Sequence, residues 1–335
     1  MNILSMKRHK EVWVIAFPML LTGISTPILG MVDTAVVGHL PEPYFLGAIA
    51  IGAMIFNLIF WAMGFLRMST TGLTAQASGT HNSIESIHIL LRGLIIALFL
   101  GVVFILLQYP LSSIIFSFID VGSEIIEPAK LYFDIRIWAA PATLATYVLL
   151  GWFLGREKPI INLMIVLCIN AINIILDVLF VVVFGWEVEG VAWATLIAEY
   201  LGLVFGLFLL FRYVSFPAVN ITSLFQLESF KKYLSINLNI FLRTLFLIAC
   251  FSFFTLQGAK YGPVILAANA VLMNFQTFIA YALDSLAHAA EVLVGKTLFS
   301  KDKKALKSVL FATVLWSFIV ALLFSIFYLF LGGSG

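Results

Sequence analysis

Apolar runs of roughly 20 to 30 residues, each carrying one charge or none, recur along the whole 335-residue chain. No water-soluble core has room for so many of them, and with 11% charged residues and a mean hydropathy of +1.09 the surface of a soluble domain could not be furnished either. The chain is therefore read as an all-α polytopic membrane protein. With the helical rise and a minimum of about 20 residues as the ruler, nine spans are expected, near 12–38, 46–78, 88–119, 130–155, 160–185, 190–213, 237–258, 265–297 and 305–331. The first follows a basic stretch, Met1 to Lys10, and exceeds the about 7 to 15 residues of a signal-peptide core, so it is read as a retained span. Cys168 and Cys250 lie inside apolar runs and form neither a disulfide framework nor a metal cluster, so no metal or other cofactor is expected.

Lysine and arginine set the orientation. Fourteen of them, from Lys7, Arg8 and Lys10 through Arg92, Arg156, Lys158, Arg212, Lys231 and Lys232 to Lys296, Lys301, Lys303, Lys304 and Lys307, fall on one side, against Lys130 and Lys260 on the other. A multi-pass protein of the cell (inner) membrane with a cytoplasmic N-terminus and an external C-terminus is expected. Residues 214–236 form the longest connection and space Ile221, Leu224, Phe225, Phe230 and Leu234 as a short helix lying at the interface would. That connection divides the chain into a six-span lobe (1–213), a cytoplasmic linker (214–236) and a partial second lobe of three spans (237–335). Displacing the sequence by 220 residues sets Leu46 to Ala77 on Leu266 to Thr297 without a gap, the signature of parallel repeats in secondary transporters.

Polar residues inside the bilayer are costly and therefore informative. Asp33 lies in the outer part of span one with no base within helical reach, and a carboxylate in low-dielectric surroundings without a counter-charge favours taking up a proton. Asn170, Asn173 and Asp177 share one face of span five. Together they read either as a shared cation or proton site or as structural groups satisfied by neighbouring hydroxyls. In span eight, Asn274, Thr277, Tyr281, Asp284, His288 and Glu291 make one polar ridge, a cavity wall or a packing seam. Depth along the spans pairs Arg243 with Glu291, and Arg67 with Asp284 across the two halves, where such a pair could close the inner side.

The runs FPMLLTGISTP (17–27) and MVDTAVVGHL (31–40), with AQASG (75–79), NIILDVLF (173–180), LAANAVLM (266–273) and YALDS (281–285), resemble the multidrug and toxic compound extrusion (MATE) transporters, and most closely their DNA-damage-inducible protein F (DinF) branch. The resemblance covers essentially the whole chain. It implies two six-helix lobes in a V, and efflux of cationic, lipophilic compounds against inward proton or sodium flow. It also implies that Asp33, Asn173 and Asp177 match the cation site of the first lobe, and that Pro18 matches the bend of span one, where a missing N–H offers a hinge. A member has twelve spans, so on this reading the second lobe lacks its last three. Trp138, Tyr147 and Trp61 are cavity candidates for varied cations, or else lipid-facing aromatics. The proton is favoured over sodium because few acids cluster in the spans.

Competing readings are a lipid-linked precursor flippase, which would be expected to hold several cations in its cavity, where only Arg67, Arg136 and Arg243 are embedded here; an integral membrane enzyme, for which His288 and Glu291 alone are too little; and a non-transporting fragment. Small-molecule substrates and the bilayer are the expected partners, nucleic acid is not, and the oligomeric state is open.

Overall fold

The structure, a computed structural model, describes residues 6–38, 40, 42–214, 224–300 and 302–332. Residues 215–223 of the expected linker, Ile221 among them, lie outside the described residues, as does the side chain of Asn274. Every regular element among the described residues is helical: α1 (Met6–Val37), α2 (Tyr44–Ala62), α3 (Phe65–Gly79), α4 (Ser83–Leu106), α5 (Gln108–Ser117), α6 (Ser123–Arg136), α7 (Ala140–Gly155), α8 (Pro159–Asp177), α9 (Val188–Tyr213), α10 (Leu227–Lys260), α11 (Pro263–Phe299) and α12 (Lys303–Gly332). Among these residues, nine helical runs are long and apolar enough to cross a membrane, and they match the nine expected ones.

Several spans are interrupted, each for a local reason. Span two breaks at Met63 and Gly64 between α2 and α3; the Gly64 N–H closes on the Trp61 carbonyl at 3.0 Å, and a Cβ there would press on the same oxygen. The helix expected over 88–119 stops at Leu106, because Pro110 in the first turn of α5 cannot donate back into α4. Span five continues from α8 into a π-helical turn, Val178–Val183, immediately after Asp177. α1 runs through both Pro18 and Pro27, which leave the carbonyls of Val14 and Gly23 without helical donors. Between them Thr22 and Ser25 turn their hydroxyls back onto the carbonyls of Pro18 and Thr22, at 2.9 and 2.7 Å, a pattern that bends helices.

Lipid offers no hydrophobic drive to bring helices together, so close packing and internal hydrogen bonds must do so. α7 is the axis of the first six spans and is buried along most of its length. Its Trp152, wholly buried, donates its indole N–H to the Ser86 carbonyl at 2.7 Å, and Asn162 of α8 donates to the Leu150 carbonyl at 2.8 Å. A second core joins the first half of α1 (Val12, Ile15, Ala16, Met19) to Leu286, Ala289 and Val292 of α11 and Val309 and Ala312 of α12. α1 thus packs on the last spans at one end and along α8 at the other.

Of the expected linker helix over 214–236, residues 215–223 lie outside the described residues; Leu224 is helical, and after a turn at Phe225 and Gln226 the chain from Leu227 onward is continuous with span seven, where Tyr233 meets Thr70 (2.9 Å) and Asn237 accepts from Ser69 (2.5 Å). One expectation is corrected. Arg92 is not a loop residue. It lies within α4, 2% exposed, and its guanidinium donates to the Leu224 carbonyl and to Glu85, both at 2.9 Å, so it anchors the chain where the linker re-enters the bundle.

At the face that carries the N-terminus, α3 and α11 meet so closely that a Cβ on Gly79 would overlap the Lys296 carbonyl. Lys296 there pairs with Glu157 at 2.5 Å, and Glu157 holds a left-handed backbone, φ +58°. The first six spans and the last three are thereby joined at this face.

Candidate functional site

α1 and α8 lie side by side, and their packing brings the two acids of the sequence analysis together: the carboxyls of Asp33 and Asp177 are neighbours. Asp177 is fully buried, and neither of its oxygens nor Oδ1 of Asp33 has a hydrogen-bond donor among the described residues. Two bare carboxylates in contact repel one another, so a proton or a small cation held between them is what such an arrangement stabilises. The asparagines of the same face connect outward. Asn173 reaches Thr195 of α9 at 3.4 Å, and Asn170 reaches the Ser25 carbonyl at 3.5 Å, inside the stretch of α1 bracketed by its two prolines.

Beside the acids is a group that the sequence reading counts among the embedded cations but does not place at the site. Arg136, 7% exposed at the end of α6, places its guanidinium 5.4 and 5.3 Å from the ring centres of Phe56 and Phe60 and reaches Glu199 of α9 at 3.5 Å. Asp33 and Tyr132 lie within its electrostatic reach, and its Nη1 has no hydrogen-bond partner among the described residues. The signal was present: Glu199 is an ionisable residue in the middle of span six, and such residues mark sites by default.

A second cluster sits between the first six spans and the last three. A cavity of about 640 Å³ is lined by Trp61, Arg67, Met68, Arg243, Thr244, Asp284, His288 and Glu291, among others. The pairings expected from depth do not form. Arg67 reaches Nε2 of His288 at 3.3 Å instead of Asp284, and Nδ1 of His288 lies 3.8 Å from Glu291. Arg243 meets the Met68 sulfur at 3.3 Å instead of Glu291. Asp284 and His288 are one turn apart on the same face, so a small difference in how the two spans cross decides which of them an arginine meets.

The rest of the span-eight ridge divides. Tyr281 lies against Gly23, between the two prolines of α1, while Thr277 bonds the Met273 carbonyl of its own helix at 2.8 Å. Tyr147 packs on the first core within reach of Glu199, Arg67 and Arg136, between the two clusters. Trp138 stands apart. It is 49% exposed beside Trp193 and Tyr200 on the outside of the bundle, and its carbonyl accepts from Tyr200 at 3.0 Å.

The MatE family model matches residues 18–179 and 239–333. DNA damage-inducible protein F of Escherichia coli is 40% identical over 325 residues, which cover 96% of this chain and 71% of that protein. A probable multidrug resistance protein NorM of Acinetobacter baylyi is 24% identical over 298 residues, 85% of this chain and 65% of the relative. Among solved structures, a multidrug resistance MATE family transporter of the MOP superfamily in its outward-facing conformation superposes with a TM-score of 0.86 at 19% identity, over 96% of this chain and 72% of that one. The chain therefore spans about two thirds to three quarters of the length of these proteins.

Proposed function

The chain belongs to the MatE family of multi-pass membrane transporters, and we propose that it is a secondary active multidrug efflux antiporter, with its N-terminus in the cytoplasm, that exports cationic or lipophilic compounds in exchange for protons, or for sodium ions, by alternating access. The relatives are transporters and not enzymes, and the small-molecule nature of the substrate follows from that class.

The observation that carries the coupling is that Asp33 and the buried Asp177 are neighbours and that three of their carboxyl oxygens have no donor among the described residues. A proton entering this pair removes the repulsion between α1 and α8; its departure restores it. α1 is able to transmit the change because two prolines and two back-bonding hydroxyls soften it. It packs on α8 along one part and on α11 and α12 along another, so a shift in α1 alters how the two sets of spans meet. Tyr281 and Asn170 both touch the softened stretch.

The charge of the cavity argues against the flippase reading: its two arginines are equalled in number by two acids, Asp284 and Glu291, whereas a phosphate-binding chamber needs a surplus of cations. The test is uptake of a fluorescent cationic dye into proteoliposomes with an imposed proton gradient. Gradient-dependent uptake by the wild type that Asp33→Asn abolishes is the expected result, and uptake with unchanged pH dependence in Asp33→Asn refutes the scheme.

A further inference from the structure

Apart from both clusters, a pocket of about 270 Å³ opens at the face that carries the N-terminus, between the start of α4, the end of α7 and Lys296 of α11. Trp152 fixes its geometry. That wholly buried side chain donates its indole N–H to the Ser86 carbonyl at 2.7 Å, and the Arg156 guanidinium lies 4.8 Å from its ring centre. One indole thus holds an arginine beside the first turn of α4. No carboxylate meets Arg156 among the described residues, and the one acid in the lining, Glu157, is taken by Lys296 at 2.5 Å. The helix start adds donors. Asn82 accepts the Glu85 N–H on its side chain at 3.0 Å and the Ser86 N–H on its carbonyl at 3.2 Å, which leaves the N–H groups of Ser83 and Ile84 without an acceptor among the described residues. The Glu85 carboxylate is engaged by Arg92 at 2.9 Å and does not line the pocket. An independent sign is Ser86 itself: it lines the pocket, is 3% exposed, and its hydroxyl has no hydrogen-bond partner among the described residues. Hydroxyls within these helices ordinarily bond back to their own helix, as those of Thr22 and Thr71 do.

An arginine fork, two free N–H groups at a helix start and an unpartnered hydroxyl are donors that lack an acceptor, and the helix dipole adds positive potential at the same place. Two cations face one acid in the lining, so a positive surplus remains. Both non-glycine residues with left-handed backbone among the described residues, His81 (φ +54°) and Glu157 (φ +58°), border this pocket, and such conformations collect at sites that hold a ligand. What satisfies these groups together is an anion with several oxygens, and about 270 Å³ suits a phosphate with a short substituent better than a drug-sized molecule. We propose that this pocket binds a phosphate group, with the Arg156 fork on two of its oxygens and the start of α4 and the Ser86 hydroxyl on the others. The phosphate arrives on an anionic lipid, whose headgroups lie level with the span ends, or free in solution; its chemistry in the pocket is the same. Arg156 and α4 belong to the first six spans and Lys296 to the last three, so a phosphate that also draws Lys296 ties the two sets together at this face. Glu157 works against it, by holding Lys296 and by placing a negative charge beside the anion.

Two probes separate the sources. Binding of inorganic phosphate to the purified full chain in phosphatidylcholine nanodiscs is measured by titration calorimetry, and retention of phosphatidylglycerol by the chain released from mixed micelles is counted by native mass spectrometry. The wild type is expected to bind at least one of them at a single site. Arg156→Gln is expected to weaken that binding about tenfold or more, Arg156→Lys to recover part of the loss because a point charge lacks the fork, and Ser86→Ala to weaken it about fivefold. Glu157→Gln removes the repelling charge and frees Lys296, so it is expected to tighten binding several-fold, a gain that a misfolded chain cannot imitate. Calorimetric binding of inorganic phosphate assigns a soluble ligand; retention of phosphatidylglycerol without it assigns a lipid headgroup. Failure of the wild type to bind either probe overturns the proposal. So does binding that is equally tight in folded Arg156→Gln, or weaker in folded Glu157→Gln. Asp33→Asn, which tests the coupling, is expected to leave both probes bound as in the wild type.

Discussion

Replacing Glu199 by Gln removes one half of the pair that Arg136 makes inside the first six spans. At 3.5 Å the attraction is about 5 kcal/mol for an effective dielectric of about 20. That is a gross figure. The separation is at the long limit for a hydrogen bond and Glu199 keeps some exposure, so about 3 kcal/mol is a fair expectation for the loss, within the usual cost of stranding one buried charge. Arg136→Met strands Glu199 instead and should cost a similar amount. The double variant strands nothing, and a methionine can occupy the space between Phe56 and Phe60 that the guanidinium now fills, so its destabilisation should fall well short of the sum. A coupling of about 2 to 3 kcal/mol is expected from the cycle. Equilibrium unfolding of the purified variants in mixed micelles measures it. Two single variants each within about 0.5 kcal/mol of the wild type, or a double variant equal to their sum, would show that the pair is a surface-like contact and that the polar cluster around Asp33 is not held together in this way.

Other outcomes follow from the same geometry. Lys296 and Glu157 are both partly exposed, so their ion pair is worth at most about 1 kcal/mol; Lys296→Gln, which removes the pair without adding repulsion, should open the face carrying the N-terminus by no more than about fivefold, read as spin-label distances between His81→Cys and Leu298→Cys, and Glu157→Gln should do no more. Pro18→Ala returns a donor to the Val14 carbonyl and should leave folded yield unchanged or higher while slowing dye uptake several-fold; uptake at the wild-type rate removes Pro18 from the hinge. Arg92→Leu cuts the tie to the Leu224 carbonyl and to Glu85 and should cost about 3 kcal/mol, with faster proteolysis beside Leu224; unchanged protease resistance contradicts the anchoring role.

The spans were legible because charges are excluded from lipid, and runs such as 159–176 or 308–332 contain none at all. Asp33 and Asp177 were legible for the same reason, each being a lone acid among apolar neighbours. Their partners were less so. Which residue Arg67 meets depends on the crossing of α3 with α11, and a single turn separates Asp284 from His288; depth counted along each sequence does not resolve one turn in tilted helices. The break at Gly64 and the π turn after Asp177 leave no periodicity signal, since both are settled by what packs against them. Arg92 was misplaced because a base near a span end reads as a loop residue, whereas an arginine long enough to reach a carbonyl such as that of Leu224 can be buried there.

The central claim is that the Asp33–Asp177 pair exchanges its proton for substrate. Binding linkage requires that each ligand displace the other to the same degree. The direct measurement is proton release: a lipophilic cation such as tetraphenylphosphonium is added to the purified chain in weakly buffered, sodium-free solution, and the protons freed per molecule bound are counted with a pH indicator. About one proton per bound cation from the wild type, and none from Asp33→Asn or Asp177→Asn, is the predicted result. Binding without release, or release undiminished in both variants, contradicts it.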